Sequence, residues 1–211
     1  MPVGVNPDQV AAFARLARAR ASRTASIVGP AEAVLAFWDH LKLGWRRPRQ
    51  VFDNQLLMEI TGRSCWPPDP TVRQATTSQF ELIVPAAMAM FTEELGFAPP
   101  DRRGGYRNHV ANLLKAGAVY VRTDANDTTV EFKADVAAVL ANRAQVQGVW
   151  TKPALRGSGL AKAGMAAVIQ AVNQRGIQAV SLYVNHYNHP AIACYQAIGF
   201  RQVGQFATVL F

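Results

Sequence analysis

The most constraining feature of this chain is the stretch over residues 146–161, Val-Gln-Gly-Val-Trp-Thr-Lys-Pro-Ala-Leu-Arg-Gly-Ser-Gly-Leu-Ala, together with the helix it leads into. An apolar run ends at a turn marked by Pro153 and a glycine-containing loop follows. Met165, Val168, Ile169 and Val172 then recur at helical spacing, which predicts a helix with one apolar face. A strand that delivers a loop into a helix N-terminus makes an anion site. The first-turn N–H groups have no intrahelical partner, the helix dipole favours negative charge, and glycines let a phosphate approach the backbone. Gly148, inside an otherwise apolar strand, predicts a bulge that frees main-chain groups near Val149 and Trp150 for a ligand.

The rest of the chain is read against that unit. Its 211 residues suit one large domain, or an ordinary domain with a smaller one beside it. Asn6 and Pro7 open a predicted helix reaching about residue 21. A strand follows at 25–28, then a helix at 31–42, then an extended segment at 51–60 interrupted at Asp53 and Asn54. Residues 64–70, with Pro67, Pro68 and Pro70, continue neither helix nor central strand and are the best candidate linker. The division this implies is a small N-terminal α/β subdomain over 1–69 and a larger domain over 70–211. In the larger part the patterns predict a strand at 71–75, helices at 81–95 and 106–116, and a hairpin of strands at 118–123 and 128–134. Residues 135–143 read either as more of the second strand or as a connecting turn. A strand at 177–184, a short helix ending at about Ile198 and one or two strands over 203–211 complete the order.

Hydrophobic residues make up 50% of the chain, ample for a core, and no apolar run is long enough to span a bilayer. The first residues lack the charged and apolar regions of a signal peptide, and Cys65 and Cys194 lack metal-ligand spacing. A cytoplasmic location, no membrane association and no metal are therefore expected. The net charge of +8 attracts polyanions in general. Its arginines cluster at Arg15, Arg18, Arg20 and Arg23, at Arg46, Arg47 and Arg49, and at Arg102, Arg103 and Arg107. No nucleic-acid-binding signature accompanies them, so solvated faces are the favoured reading and nucleic acid is the lesser one.

Two patterns in fixed order carry a family resemblance. The first is Arg156-Gly157-Ser158-Gly159-Leu160-Ala161. The second is Asn188-His189-Pro190-Ala191, with Tyr195 and then Gly199-Phe200 downstream. The chain resembles the GNAT family of N-acetyltransferases, closely over residues 144–200 and by strand order back to Thr71. The N-terminal piece resembles the degenerate half of two-part GNAT proteins, with packing and cleft shaping as its implied role. The resemblance implies a GNAT fold, α/β (α+β), with a mixed central sheet flanked by helices.

It also implies acetyl-CoA as donor, with CoA as product, and a primary amine, on a small molecule or a peptide, as acceptor by direct attack. Backbone at Val149, Trp150 and Thr151 would hold the pantetheine arm, with an amide near Val149 polarising the acetyl carbonyl. Amides from Arg156 through Gly157, Ser158, Gly159, Leu160, Ala161 and Lys162 would wrap the pyrophosphate. Asn188 would contact the cofactor, and Tyr195 would act as general acid toward the departing thiolate. Other readings stay open for some of these: Arg156 as a solvated cation, Asn188 as a helix cap, Tyr195 as a packing residue. The general base is expected among carboxylates that approach the acceptor side, Glu94 or Glu131, with Glu93 beside them. His186 and His189 are expected to face solvent. The alternative function is a CoA-binding regulatory module without turnover. The oligomeric state is open, a homodimer included.

Overall fold

The computed structural model describes residues 7–18, 24–99 and 104–211. Helix α1 (Pro7–Arg18) is followed by strand β1 (Ser26–Pro30), helix α2 (Ala31–Leu41) and strand β2 (Gln50–Thr61). Strand β3 (Arg73–Gln74), helix α3 (Phe80–Leu95) and helix α4 (Gly105–Lys115) come next. Strands β4 (Val119–Thr123), β5 (Val130–Leu140) and β6 (Arg143–Thr151) lead to helix α5 (Leu160–Asn173), strand β7 (Ala179–Asn185), helix α6 (His189–Ala197) and strand β8 (Arg201–Leu210). The eight strands hydrogen-bond in the order β1-β8-β2-β7-β6-β5-β4-β3. This is the expected mixed α/β architecture, with parallel pairing at β6–β7 and antiparallel pairing at β4–β5 and β5–β6. The expected cap at Asn6 and the last turn of the first helix lie outside the described residues, as do Arg20, Arg23, Arg102 and Arg103. Among the described residues no helix is long and apolar enough to cross a membrane.

The chain forms two compact units. One comprises residues 1–58, 183–192 and 202–211, so it takes chain from both ends. Its core is the apolar face of α1 and α2 closed on β1 and β8: Val10, Ala14, Ile27, Val34, Phe37, Leu41, Ala207 and Val209. Fully burying a side chain such as Leu41 contributes about 1.5–3 kcal/mol, which a helix of 11 residues needs, being too short to hold in water alone. Here β2 differs from expectation, because Asp53 and Asn54 do not interrupt it. Asp53 faces solvent, and Asn54 spends its polar groups across the sheet: its Oδ1 accepts from Gln205 Nε2 at 2.9 Å and its carbonyl accepts from His186 N at 3.2 Å. Polar residues stop a strand only when their groups find no cross-strand partner.

The second unit comprises residues 59–182 and 193–201. Ile83, Val84 and Ala87 of α3, Val110 and Leu114 of α4, and Val119, Val121 and Val130 of the strands form one core, against which Trp150 packs. The proline-rich segment takes neither helix nor strand, as its prolines require, but it is no free tether. Cys65 N donates to Ile198 O at 3.3 Å and Asp69 N to Ala163 O at 3.0 Å, while Asn173 Nδ2 donates to Gly62 O at 2.8 Å. The segment therefore runs along α5 from its C-terminal end to its N-terminal turn. The open alternative at 135–143 resolves as strand. The antiparallel β5 runs to Leu140, turns at Ala141 with φ 52°, and returns as β6.

Candidate active site

The predicted bulge is present on β6. Lys133 opposes Trp150 and Asp135 opposes Gln147, so Gly148 and Val149 together face the single residue Ala134. Gly148 adopts φ 59°, a left-handed conformation that glycine takes without strain. On the other edge the parallel ladder to β7 pairs Arg143, Ala144 and Gln145 with Ala179, Val180 and Ser181. The register covers no residue of 148–150. Main chain at Val149 and Trp150 therefore lies beyond the β7 ladder, the condition for a ligand to pair with it as a strand would. Thr151, buried, pairs with Phe132.

After Thr151, Pro153–Leu155 forms one 3-10 turn. Gly157 and Gly159 both take left-handed conformations, φ 79° and 87°, folding the loop so that α5 starts at Leu160. Gly159 occupies its N-cap position and no side chain caps it. The helix's first backbone bond is Ala163 N to Gly159 O at 3.1 Å, leaving the amides of Leu160, Ala161 and Lys162 to seek an acceptor outside the helix. A Cβ built on Gly157 meets nothing within 4 Å, so space for an anion exists beside the loop. Ser158 turns its hydroxyl inward to Leu155 O at 2.7 Å, bracing the loop rather than facing a ligand.

Arg156 is likewise braced: Nε donates to Thr151 O at 3.0 Å and Nη2 pairs with Glu93. The same carboxylate accepts from Trp150 Nε1 at 3.2 Å. Glu93, which the sequence order places with Glu94 and Glu131 among carboxylates approaching the acceptor side, thus ties the end of α3 to Trp150 and Arg156. Beside the helix N-terminus lies a cavity of about 240 Å³ lined by Trp66, Asp69, Arg122, Ser158, Gly159, Leu160 and Ala163. Lys162 Nζ sits 4.6 Å from the Trp66 ring centroid. Trp66, Asp69 and Arg122 carried no sequence signal, because their meeting depends on how the proline-rich segment lies along α5.

The two candidate bases differ sharply. Glu131 forms an ion pair with Arg122 at 2.8 Å, and Arg122 also holds Asp69 at 2.7 Å. One oxygen of Glu131, Oε2, is thereby engaged by the guanidinium. Glu94 is exposed, and partial desolvation raises its pKa above the ordinary glutamate value. Its charge also acts on Tyr195 and Tyr106. Tyr195 lies on α6 with its ring buried against Phe200, centroids 5.8 Å apart. Burial, with the neighbouring Cys194 and Glu94, raises the hydroxyl far above the usual tyrosine value, so it keeps its proton throughout the neutral range. In the other unit Asn188 caps α6, its Oδ1 accepting from Ala191 N at 3.2 Å. Asn185, at the end of β7, is buried and accepts from Gln55 Nε2 at 3.1 Å. His186 and His189 are exposed.

Residues 117–200 match the model of the acetyltransferase (GNAT) family, and residues 1–83 match a domain of unknown function, DUF4081. No curated protein matches the chain. Among solved structures, a putative GNAT-family acetyltransferase from Novosphingobium aromaticivorans superposes with a TM-score of 0.65 at 22% identity, covering 97% of this chain and 80% of that one. A GNAT-family acetyltransferase from Colwellia psychrerythraea gives 0.61 at 14% identity, covering 95% and 72%. An N-acetyltransferase from Thermoplasma acidophilum, solved in complex with coenzyme A, gives 0.53 at 15% identity, covering 66% and 98%.

Proposed function

We propose that this chain, whose residues 117–200 match the model of the GNAT acetyltransferase family, transfers an acetyl group from acetyl-CoA to a primary amine. The observation that carries this reading is the uncapped N-terminus of α5 behind two left-handed glycines, one turn after a bulged strand end that lies beyond the β7 ladder. An extended arm that runs into a pyrophosphate fits that sequence of groups, and coenzyme A, bound in the Thermoplasma neighbour, contains such an arm. The free amides from Gly157 to Lys162 take the pyrophosphate; Arg156 and Ser158 act by bracing the loop. Main chain at Val149, Trp150 and Thr151 lines the pantetheine, and the Val149 amide is the oxyanion donor.

Glu94 is the preferred base over Glu131, because Glu131 is committed to Arg122. In the reaction the ammonium form of the acceptor gives a proton to Glu94 and its nitrogen bonds to the acetyl carbon. The carbon–sulfur bond then breaks as Tyr195 protonates the leaving sulfur, and the second proton of the former ammonium, still on the new amide nitrogen, passes through solvent to restore the Tyr195 hydroxyl. Residues 70–211 carry the transfer; residues 1–69 are assigned no catalytic group. A nucleic-acid role loses ground because several arginines are used within the fold: Arg73 on Asp127, Arg107 on Glu81, Arg143 on Glu59, Arg46 over the Phe211 ring.

A thiol-release assay with acetyl-CoA across peptide, polyamine and aminoglycoside amines tests the reading against a CoA-binding module. Release above the hydrolysis background with at least one amine class supports transfer. Binding of acetyl-CoA with no release on any class makes the chain a module.

A further inference from the structure

The second unit buries an ion pair that none of the roles above uses. Lys133 and Asp135 lie two residues apart on β5 and so share one face; they are 1% and 3% exposed. Lys133 Nζ donates to Asp135 Oδ2 at 2.5 Å and reaches Gly148 O at 3.4 Å. Asp135 Oδ1 is buried with no hydrogen-bond partner. The pair lies directly against the bulge, because a Cβ added to Gly148 would come 2.6 Å from Asp135 Oδ2 and 3.2 Å from Lys133 Nζ. Taking both charges out of water is costly, and well-packed apolar residues often serve stability equally well. Packing alone therefore gives this pair no reason to be ionic.

Peptide geometry supplies one. The carbonyl of Gly148 and the amide of Val149 belong to the same peptide unit, which is planar and trans, so they point in opposite directions. An ammonium that holds the Gly148 oxygen on the buried side turns the Val149 N–H to the other side. A cation at the oxygen end also polarises the unit and strengthens the N–H as a donor. Asp135 holds the ammonium in place. Gly148 is glycine because its conformation requires it and because any side chain there would displace the pair.

We propose that Lys133 and Asp135 are a positioning pair for acetyl transfer, setting the Val149 amide as the donor to the acetyl carbonyl. This rests on the acetyl-CoA reading above, and the test separates the two. Acetyl-CoA labelled with ¹³C at the acetyl carbonyl is bound to the full chain, and the carbonyl stretch is read by isotope-edited infrared difference spectroscopy. No acceptor amine is needed. The expected result is a stretch moved to lower frequency on binding to the wild-type chain. In the paired variant Lys133→Met with Asp135→Leu, which replaces the ions by apolar groups, that shift is lost while calorimetric binding of CoA changes less than about threefold. Where the paired variant does not fold, Asp135→Asn, which keeps the side-chain volume, is read the same way. A shift unchanged in a folded variant overturns the proposal, as does a wild-type carbonyl that does not move on binding. Failure of acetyl-CoA to bind the wild-type chain overturns the acetyl-CoA reading itself.

Discussion

At the scale of single residues, the groups that matter differ in what fixes their protonation. Glu94 is raised by desolvation, so its charged form, the one a base needs, fills only above the ordinary glutamate range of about 4.3. The rate should therefore fall as pH drops through a value above that range. Glu94→Gln should lower turnover by about 10²-fold or more and abolish that acid limb in a pH–rate profile; an unchanged limb assigns it elsewhere. Tyr195 is raised by burial and stays a proton donor at neutral pH. Tyr195→Phe should retain CoA affinity within about threefold while transfer drops at least about tenfold, the pattern of an interaction made in the transition state. Gly148→Ala, strained at φ 59° and 2.6 Å from Asp135 Oδ2, should destabilise the fold by about 1–3 kcal/mol in urea denaturation.

Among the elements, the loop and α5 were the most legible in the sequence. Short-range rules govern them: glycine at left-handed positions, an apolar helical face, a strand before and after. Gly148 announced the bulge for the same reason. Asp53 and Asn54 misled, because Asp53 faces solvent and the hydrogen bonds of Asn54 go to Gln205 and His186, far off in the chain. Residues 64–70 read correctly as neither helix nor strand, but prolines carry no information on what a coil segment packs against. There Asp69 is the anchor. Burial works against its charge, yet hydrogen bonds from the Thr71 side chain and backbone and the Arg122 guanidinium outweigh it and hold the carboxyl below the usual range. A carboxyl depressed in the fold stabilises above its unfolded pKa of about 3.9, and that contribution is lost as pH falls through the lower folded value. Asp69→Asn should cost about 1–3 kcal/mol at neutral pH and raise amide exchange across residues 62–72. Stability and exchange equal to wild type would mean that Asp69 does not anchor the segment.

For the whole molecule, the order strand, loop, helix, strand, helix was readable because each element follows from its own pattern, and the family match over residues 117–200 agrees with it. The interleaving of the two compact units was not readable. Residues 183–192 and 202–211 join the unit that holds residues 1–58, and no local pattern specifies which distant strand an edge will join. The Lys133–Asp135 pair escaped notice likewise, since a Lys-x-Asp spacing on a strand ordinarily reads as a solvated face. The most direct test of the account is calorimetric titration of acetyl-CoA into the full chain and into Gly159→Val, which forces a β-branched residue to φ 87° in the loop. The account predicts saturable one-to-one binding with Kd on the order of tens of micromolar or tighter, weakened at least about tenfold in a folded Gly159→Val chain. Absence of binding at about 1 mM, or equal binding by the two folded chains, would contradict it.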